Sequence, residues 1–148
     1  MKFAIGCDHG GFETAEAVRG YLREHNIEFL DFGTHSVESV DYPLIAVEVA
    51  RAVAKGEADL GVLVCSTGIG ISIAANKVKG VRAAVCQSVM CARLTRNDND
   101  SNVLCMGGKV VDIDTALEIL ETFINTGFEG GRHARRVGQI SQIESGEI

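Results

Sequence analysis

Tryptophan is absent from this sequence, and proline and tyrosine are scarce, at one and two of 148 residues. A protein that stacks a flavin against aromatic rings needs such side chains, so the composition weighs against a flavin-binding module. Pro43 stands alone, and no Pro/Ser-rich linker, internal repeat or low-complexity tract divides the chain. We therefore expect one domain over residues 1–148.

Long apolar runs are also missing. No stretch approaches the roughly 18 residues that a membrane-spanning helix needs. The first residues become polar at Asp8, which indicates a short strand and not a signal peptide. The five cysteines are an odd number and lack paired C-x2-C spacing, so we expect neither a disulfide framework nor a structural zinc site. Reduced thiols point to the cytoplasm.

An excess of positive charge is the third absence. The net charge is −6, and the Lys and Arg residues are mostly scattered, which argues against a nucleic-acid-binding protein. The exception is a local basic cluster made by Arg132, His133, Arg135 and Arg136. A cationic patch in an acidic protein suits a small anionic metabolite as partner.

What the sequence does contain is a regular alternation of short apolar segments and amphipathic ones. The apolar segments predict buried strands at residues 3–7, 28–32, 60–65, 82–86 and 102–106. Five βα units in succession predict an α/β fold, a Rossmann-like three-layer sandwich with a five-stranded parallel sheet and helices on both faces. We expect the strand order 2-1-3-4-5, which would place a ligand beyond the ends of strands one and three.

The helices are predicted from apolar spacing and from capping residues. The apolar stripe of the first helix is Phe12, Ala15, Val18 and Leu22, and that of the second is Leu44, Val47, Ala50 and Val53. Pro43 suits the first turn of the second helix, and a third helix begins near Gly70. We expect Ser88 to cap the fourth helix and Asp114 the fifth, with a last helix over about residues 132–144.

The loop at residues 65–70 is the first candidate for chemistry and reads Cys-Ser-Thr-Gly-Ile-Gly. It lies just before a helix, where free backbone N–H groups can face an anion. A thiol there could serve as a general base or a nucleophile. The alternative is that Cys65 only ends a buried strand. Ile71 occupies the position of the arginine that a Cys-x5-Arg phosphatase needs, and neither a dinucleotide-binding G-x-G-x-x-G after the first strand nor a P-loop is present.

Asp8 and His9, which follow the first strand, form the second candidate. The carboxylate and the imidazole could bind sugar hydroxyls and a phosphate, or Asp8 could only cap the next helix. Arg132 and Arg136 are four residues apart, so one helix face carries both guanidinium groups and could grip a phosphate, unless that face is merely solvated. The polar residues 96–102 are either a turn or a source of polyol ligands, and their spacing fails the EF-hand pattern.

Six segments in order along nearly the whole chain resemble the ribose-5-phosphate isomerase type B family, which includes galactose- and allose-6-phosphate isomerases. They are CDHGGF at 7–12, DFGT at 31–34, DYP at 41–43, GIGISIAANK at 68–77, GVRAA at 80–84 and EGGRH at 129–133. The resemblance implies an aldose–ketose isomerase of a phosphorylated sugar, with ribose 5-phosphate as the first expectation. It also implies no metal or other cofactor, and a homodimer or homotetramer whose sites combine two subunits, with the helix at 132–144 packing on the partner.

The resemblance further assigns roles to individual residues. Cys65 would take the proton from C2 of the open-chain aldose to give a cis-enediolate, and Thr67 would assist ring opening or proton transfer. The amides of Ser66, Gly68, Ile69 and Gly70 would stabilise the oxyanion. Phosphate would bind to His9, Arg132 and Arg136, with Asp8, Tyr42 and Asn99 near the sugar and Lys109 where relatives often carry arginine.

Two positions depart from the family pattern. Ser66 replaces the usual glycine, and Asp98 stands where relatives carry the histidine assigned to opening the sugar ring. An aspartate is a poorer acid than histidine at neutral pH. Three hypotheses therefore remain open: a ribose-phosphate isomerase in which Asp98 or another group opens the ring, an isomerase of another pentose or hexose phosphate, and a sugar-phosphate-binding protein without turnover.

Overall fold

The computed structural model describes residues 1–148 and contains five strands and six helices. The strands are β1 Lys2–Cys7, β2 Glu28–Asp31, β3 Leu60–Cys65, β4 Ala83–Val85 and β5 Val103–Gly107. The helices are α1 Phe12–Glu24, α2 Tyr42–Ala54, α3 Ile69–Ala75, α4 Val89–Asn99, α5 Ile113–Asn125 and α6 Arg132–Ser145. A single 3-10 turn, His9–Gly11, joins β1 to α1.

All the strands pair in parallel, which confirms the predicted α/β fold, and the order across the sheet is β2-β1-β3-β5-β4. The predicted order was therefore wrong for the last two strands. β5 is buried along its whole length and lies beside β3, whereas the three-residue β4 is half-buried and takes the edge. The Asn76 side chain bonds to both the N–H and the C=O of Ala83, so it occupies part of the exposed edge of β4.

The sheet separates two apolar cores because successive residues of each strand point to opposite faces. Val62 and Leu104 lie in the core beneath α1 and α5, whereas Leu63 and Cys105 lie in the core beneath α2 and α3. Strand order still reverses between β1 and β3, as predicted, so the loops that follow these strands meet at one edge of the sheet.

The helix starts were predicted in part. Ser88 caps α4 by accepting a hydrogen bond from Cys91 N at 3.2 Å, as expected. The prediction for Asp114 was wrong, because α5 begins at Ile113 and its cap is Asp112, whose carboxylate accepts from Thr115 N at 2.7 Å.

The predicted apolar stripe of α2 was also wrong at its start. Leu44 is 68% exposed, while Ala50 and Val53 are buried. Positions three apart rotate around a helix by about 60° at each step, so Leu44 and Val53 lie on opposite faces.

The C-terminal helix α6 buries His133 alone, and its apolar residues Ile140 and Ile143 are 48% and 62% exposed. Residues 96–99 form the last turn of α4 and not a free turn, and Asp100 follows in the left-handed conformation. None of the helices combines the length and the apolarity that spanning a membrane would require.

Candidate active site

The loops that follow β1, β3 and β5 pack against one another at the carboxyl ends of the strands. Gly108 N donates to Cys65 O at 2.8 Å, and Lys109 N donates to Ser66 O at 3.0 Å, which ties the end of β5 to the loop after β3. A Cβ atom on Gly10 would collide with the Ser66 side chain, so the loop after β1 also touches this point. The three loops therefore form one backbone-built surface.

Cys65 ends β3 and is only 6% exposed. Its Sγ accepts a hydrogen bond from Gly68 N at 3.1 Å, and Ile69 N donates to Thr67 Oγ1 at 3.2 Å. The N–H groups of Ser66, Thr67 and Gly70 donate no hydrogen bond within the chain. A thiol that faces backbone donors, with further donors left free, is suited to a reaction that develops negative charge on oxygen.

Two glycines make the geometry of this loop possible. Gly68 has φ +79°, and a Cβ there would lie 2.8 Å from the carbonyl carbon of Met106. A Cβ on Gly70 would lie 2.7 Å from the ring of Tyr42, so the phenol of α2 covers the start of α3. Tyr42, which the family resemblance predicts near the sugar, thus contacts the loop.

Gln87 is a site residue that the sequence did not reveal. Its side chain donates to Thr67 O at 2.7 Å and accepts from Gly107 N at 3.3 Å, so it ties the loop after β3 to the end of β5. No motif surrounds it in the sequence, and its position depends on the packing of β4 beside β5.

His9 and Lys109 line a cleft of about 420 Å³ together with residues that start α1 and α5. The backbone N–H of Val40 donates to His9 Nδ1 at 3.3 Å, which leaves Nε2 to carry the ring proton. An exposed imidazole N–H beside an ammonium group can bind an anionic oxygen.

Asp8 acts as a cap, which was one of its two predicted roles. It is 6% exposed, and its Oδ1 accepts from Gly10 N at 2.9 Å and from Gly11 N at 3.1 Å. The carboxylate caps the turn that presents His9, so its first role is to position the imidazole.

Arg19 is a second residue missed from the sequence, although it shares a face of α1 with Ala15 and Leu22. Its fully buried guanidinium contacts Asp31 Oδ1 at 3.2 Å, Thr34 O at 3.1 Å and the Cys7 sulfur at 3.9 Å. Nε lies 3.0 Å from Asp31 Oδ2 but off the donor direction, so that contact is ionic only. The ion pair joins α1 to the ends of β1 and β2.

The pKa of Asp31 is lower than normal for a carboxyl group. Burial acts to raise it, but hydrogen bonds from His35, Gly33 N and Arg19 together outweigh burial. His35, the Gly33 amide and Arg19 together therefore favour the ionised form of Asp31.

Four of the predicted site residues lie at the opposite end of the sheet: Asp98, Asn99, Arg132 and Arg136. Asp98 and Asn99 end α4, which starts near the carboxyl end of β4 and runs back along the sheet for 11 residues, about 16 Å. Arg82, just before β4, donates to the carbonyls of Asn99 and Asp100, which fixes this end of α4 near the beginning of the strands. Arg132 follows on α6, where it is exposed.

The predicted residues thus divide into two groups. The strand-end group comprises Asp8, His9, Tyr42, Cys65, Ser66, Thr67, Gly68, Ile69, Gly70 and Lys109. The α4–α6 group comprises Asp98, Asn99, Arg132 and Arg136, and the structure adds Glu129 and His133 to it. His133 Nε2 lies 3.5 Å from Asp98 and 3.6 Å from Glu129, and together they are the one group of three metal-ligating side chains in the chain.

Comparisons with known proteins agree with this architecture. Residues 3–140 match the model of the family Ribose/Galactose Isomerase. Ribose-5-phosphate isomerase B of Escherichia coli K12 is 48% identical over 143 residues, which are 97% of this chain and 96% of that protein.

Solved structures are equally similar. Ribose-5-phosphate isomerase B of Clostridium thermocellum superposes with a TM-score of 0.98 at 50% identity, with all of both chains covered. The type B ribose 5-phosphate isomerase of Trypanosoma brucei gives a TM-score of 0.92 at 47% identity, over 96% of this chain and 97% of that one. The chain therefore belongs to the ribose/galactose isomerase family of sugar-phosphate isomerases.

Proposed function

We propose that this isomerase interconverts ribose 5-phosphate and ribulose 5-phosphate, with Cys65 as the base. The observation that carries the proposal is the Cys65 sulfur, which lies at the switch point of the sheet, 3.1 Å from Gly68 N and next to amides that have no acceptor in the chain. The names of the similar proteins from E. coli and C. thermocellum support ribose 5-phosphate as the substrate.

The reaction moves one hydrogen from C2 to C1 and one from O2 to O1 of the open-chain aldose. The Cys65 thiolate takes the C2 proton, and the electron pair of that bond forms the C1–C2 double bond while O1 gains negative charge. The free amides of Ser66 and Gly70 stabilise this oxygen in the cis-enediolate. The thiol then returns the proton to C1, and Thr67 assists the transfer between the two oxygens.

The phosphate and the remaining hydroxyls need more groups than the strand-end group offers. His9 donates from Nε2 and Lys109 adds charge on one side of the substrate. Arg132 and Arg136 grip the phosphate, and the carboxylate of Asp98 and the amide of Asn99 bind hydroxyls.

Because Arg132 and Asp98 lie at the other end of the sheet in the same chain, we propose that they come from a second copy. The chain is then a homodimer, or a homotetramer of two such dimers, with each active site shared between subunits. The exposed Ile140 and Ile143 of α6 support this, since an apolar helix face needs a partner. Each chain acts as one domain over residues 1–148.

We also propose a cytoplasmic location. The five cysteines are all free, although several lie buried in the two cores. Free thiols, of which Cys65 must stay reduced to act as a base, suit a reducing compartment.

The test is Cys65→Ala, with exchange of the C2 hydrogen of ribose 5-phosphate into deuterated water as the readout. We expect exchange and isomerisation to fall by about 10³-fold or more, because general-base removal costs about 10²–10⁴-fold, while sugar-phosphate affinity stays within about threefold. Cys91→Ala, at an exposed cysteine of α4, is the matched control and should keep full activity. Normal exchange in the Cys65 variant would contradict the mechanism.

Asp98 favours a second candidate, an isomerase of a different sugar phosphate. Rates on ribose 5-phosphate, allose 6-phosphate and galactose 6-phosphate, measured for the wild type and for Asp98→His, separate the two. A higher rate on ribose 5-phosphate in the variant indicates a shifted substrate, whereas binding of all three sugars without turnover indicates a non-catalytic binding protein.

A further inference from the structure

The N–H group of Gly68 that contacts the Cys65 sulfur belongs to the peptide unit between Thr67 and Gly68. The oxygen of the same peptide unit, Thr67 O, accepts a hydrogen bond from the Gln87 side chain at 2.7 Å. We propose that Gln87 is a positioning residue, which aims the Gly68 N–H at the Cys65 sulfur by holding the opposite side of this peptide. The inference rests on the proposed function, in which Cys65 is the base.

The peptide plane links the two contacts. A trans peptide is planar, and its C=O and N–H groups point in opposite directions. A hydrogen bond at Thr67 O therefore also sets the direction of the Gly68 N–H, which lies 3.1 Å from the sulfur. The carbonyls of the two preceding residues are held in the same way, by Gly108 N at 2.8 Å and Lys109 N at 3.0 Å. Three successive carbonyls of the loop thus each accept one hydrogen bond from outside the loop, and Gln87 is the side-chain donor among the three.

Gly68 is the reason that this peptide needs an external anchor. Glycine adopts positive and negative φ about equally readily, so the backbone at Gly68, with φ +79°, resists rotation of the peptide less than another residue would. The sulfur of a thiol is also a weak hydrogen-bond acceptor, so its contact with the Gly68 N–H is a weak restraint. The shorter bond from Gln87 to Thr67 O supplies the restraint that the glycine lacks.

Gln87 is itself held in place. Its Oε1 accepts a hydrogen bond from Gly107 N at 3.3 Å, so the amide has one donor and one acceptor partner. Reversal of the amide would set donor against donor and acceptor against acceptor. The backbone just before it is fixed by the bond from Cys86 N to Cys105 O at 2.9 Å, and Ser88, just after it, caps α4. The side chain therefore reaches the loop from a fixed point at the end of β4.

Loss of this anchor should slow the chemical step and leave substrate binding almost unchanged. Removing a donor from an oxyanion hole costs about 10²–10³-fold in kcat, and Gln87 only orients the loop that carries such donors. We therefore expect a smaller fall, of about tenfold, in kcat. An interaction that matters only in the transition state lowers kcat and kcat/KM by the same factor, so KM should stay within about twofold.

The test compares Gln87→Met and Gln87→Glu in the full chain, with ribose 5-phosphate as the substrate. Methionine keeps the length of the side chain without either hydrogen bond. Glutamate keeps an acceptor for Gly107 N but places a carboxylate oxygen against Thr67 O. Both variants should show the tenfold loss of kcat, because the contact with Thr67 O is the one that acts on the loop. A normal kcat in either variant would overturn the inference.

Asn76→Leu is the matched control. The Asn76 side chain is also an amide that donates to a backbone carbonyl and accepts from a backbone N–H, at 2.9 and 2.8 Å, but both groups belong to Ala83 and not to the loop at residues 65–70. This variant should lose stability as the Gln87 variants do and keep the kcat of the wild type. An equal loss of kcat in Asn76→Leu would mean that general destabilisation slows the enzyme, which would contradict a positioning role.

Hydrogen exchange of the Gly68 amide, followed by NMR, gives a second readout that does not depend on isomerisation. Exchange should be about five- to tenfold faster in Gln87→Met, the factor that corresponds to one hydrogen bond, and unchanged in Asn76→Leu. Unchanged exchange in Gln87→Met would overturn the positioning role and leave the base mechanism intact. Normal exchange of the C2 hydrogen in Cys65→Ala would instead refute the base mechanism, and the Gly68 amide would still show whether Gln87 orients the peptide.

Discussion

The strand-end group and the α4–α6 group carry different parts of the proposed reaction and are built in different ways. Around Cys65 the geometry comes from the backbone: close glycine contacts, amide hydrogen bonds and three converging loops. Around Asp98 and Arg132 it comes from side chains on two helix ends, and of these His133 alone is buried. The first group is fixed by the fold, while the second group lies mostly exposed on the surface, where the proposed second copy would meet it.

The strongest test of this contrast is Gly68→Ala. Gly68 has a positive φ, and the added methyl group would collide with the backbone of Met106. The loop must therefore move, and its N–H groups would no longer point at the reacting oxygen. We expect kcat to fall by about 10²–10³-fold, as when oxyanion donors are removed. Gly20→Ala in α1, where a Cβ meets nothing within 4 Å, is the control and should keep its activity and gain about 0.5–1 kcal/mol of stability. Similar kinetics in both variants would refute the importance of the loop backbone.

Asp31→Asn tests the buried ion pair beneath the strand-end group. It leaves the fully buried Arg19 without its main partner, so the free energy of unfolding should fall by about 3 kcal/mol in urea titrations. Glu16→Gln removes the other, exposed partner of Arg19 and should cost less than about 1 kcal/mol. An equal loss in the two variants would show that burial does not set the strength of the pair.

The stability difference between the wild type and Asp31→Asn should also depend on pH. Because the folded pKa of Asp31 lies below its ordinary value, its stabilising effect is fully present above pH ~4 and is lost as the pH falls through the folded pKa. The stability gap between wild type and Asp31→Asn should therefore narrow on acidification. A gap that widens would mean that the folded pKa of Asp31 lies above its ordinary value.

The variants Arg132→Ala and Arg136→Ala test the role of the α4–α6 group in substrate binding. Each should raise KM by about 10-fold through loss of a charge-assisted contact, with unfolding free energy changed by less than about 0.5 kcal/mol. Arg51→Ala, an exposed arginine on α2, serves as control and should leave KM unchanged. An unaltered KM in all three variants would remove the arginines from the substrate site.

The smallest expected effect is a difference in chemical reactivity among the cysteine thiols. Burial raises the pKa of Cys86 to about 12 and that of Cys105 well above its ordinary value, whereas Cys91 is exposed on α4. Iodoacetamide at neutral pH should modify Cys91 and spare Cys86 and Cys105 until the protein is denatured, as mass spectrometry would record. Rapid labelling of Cys105 in the folded protein would mean that the sheet opens there.

The strands and the Cys65 loop could be predicted because their signals are local. A short apolar run bounded by polar residues or glycine is recognised within a few residues, and loop 65–70 carries its cysteine, hydroxyl groups and glycines in one short segment. The capping role of Asp8 was likewise one of two readings available from its neighbours. The segments that resemble the family added predictions for Tyr42 and Lys109, which no local pattern suggests.

The predictions that were wrong and the residues that were missed depend on contacts between residues distant in sequence. The exchange of β4 and β5 follows from the short length and half-burial of β4, which the apolar pattern of residues 82–86 did not reveal. Gln87 acts on Thr67 and Gly107 across strands that are neighbours only in the folded sheet. The separation of Arg132 from Cys65 is also a property of the fold, since α4 carries its chain back to the start of the strands.

The central claim, that each active site joins the strand-end group of one chain to the α4–α6 group of another, has a direct test. Cys65→Ala and the double variant Arg132→Ala/Arg136→Ala are co-expressed and assayed at substrate concentrations below the wild-type KM. Under these conditions an additive KM increase of about 100-fold leaves the arginine variant with little activity of its own. Random pairing makes half of the dimers mixed, each with one intact and one doubly altered site, so about a quarter of wild-type isomerase activity should return. Mixed dimers that form, as shown by mass spectrometry with distinct tags, and yet stay inactive would contradict the shared site.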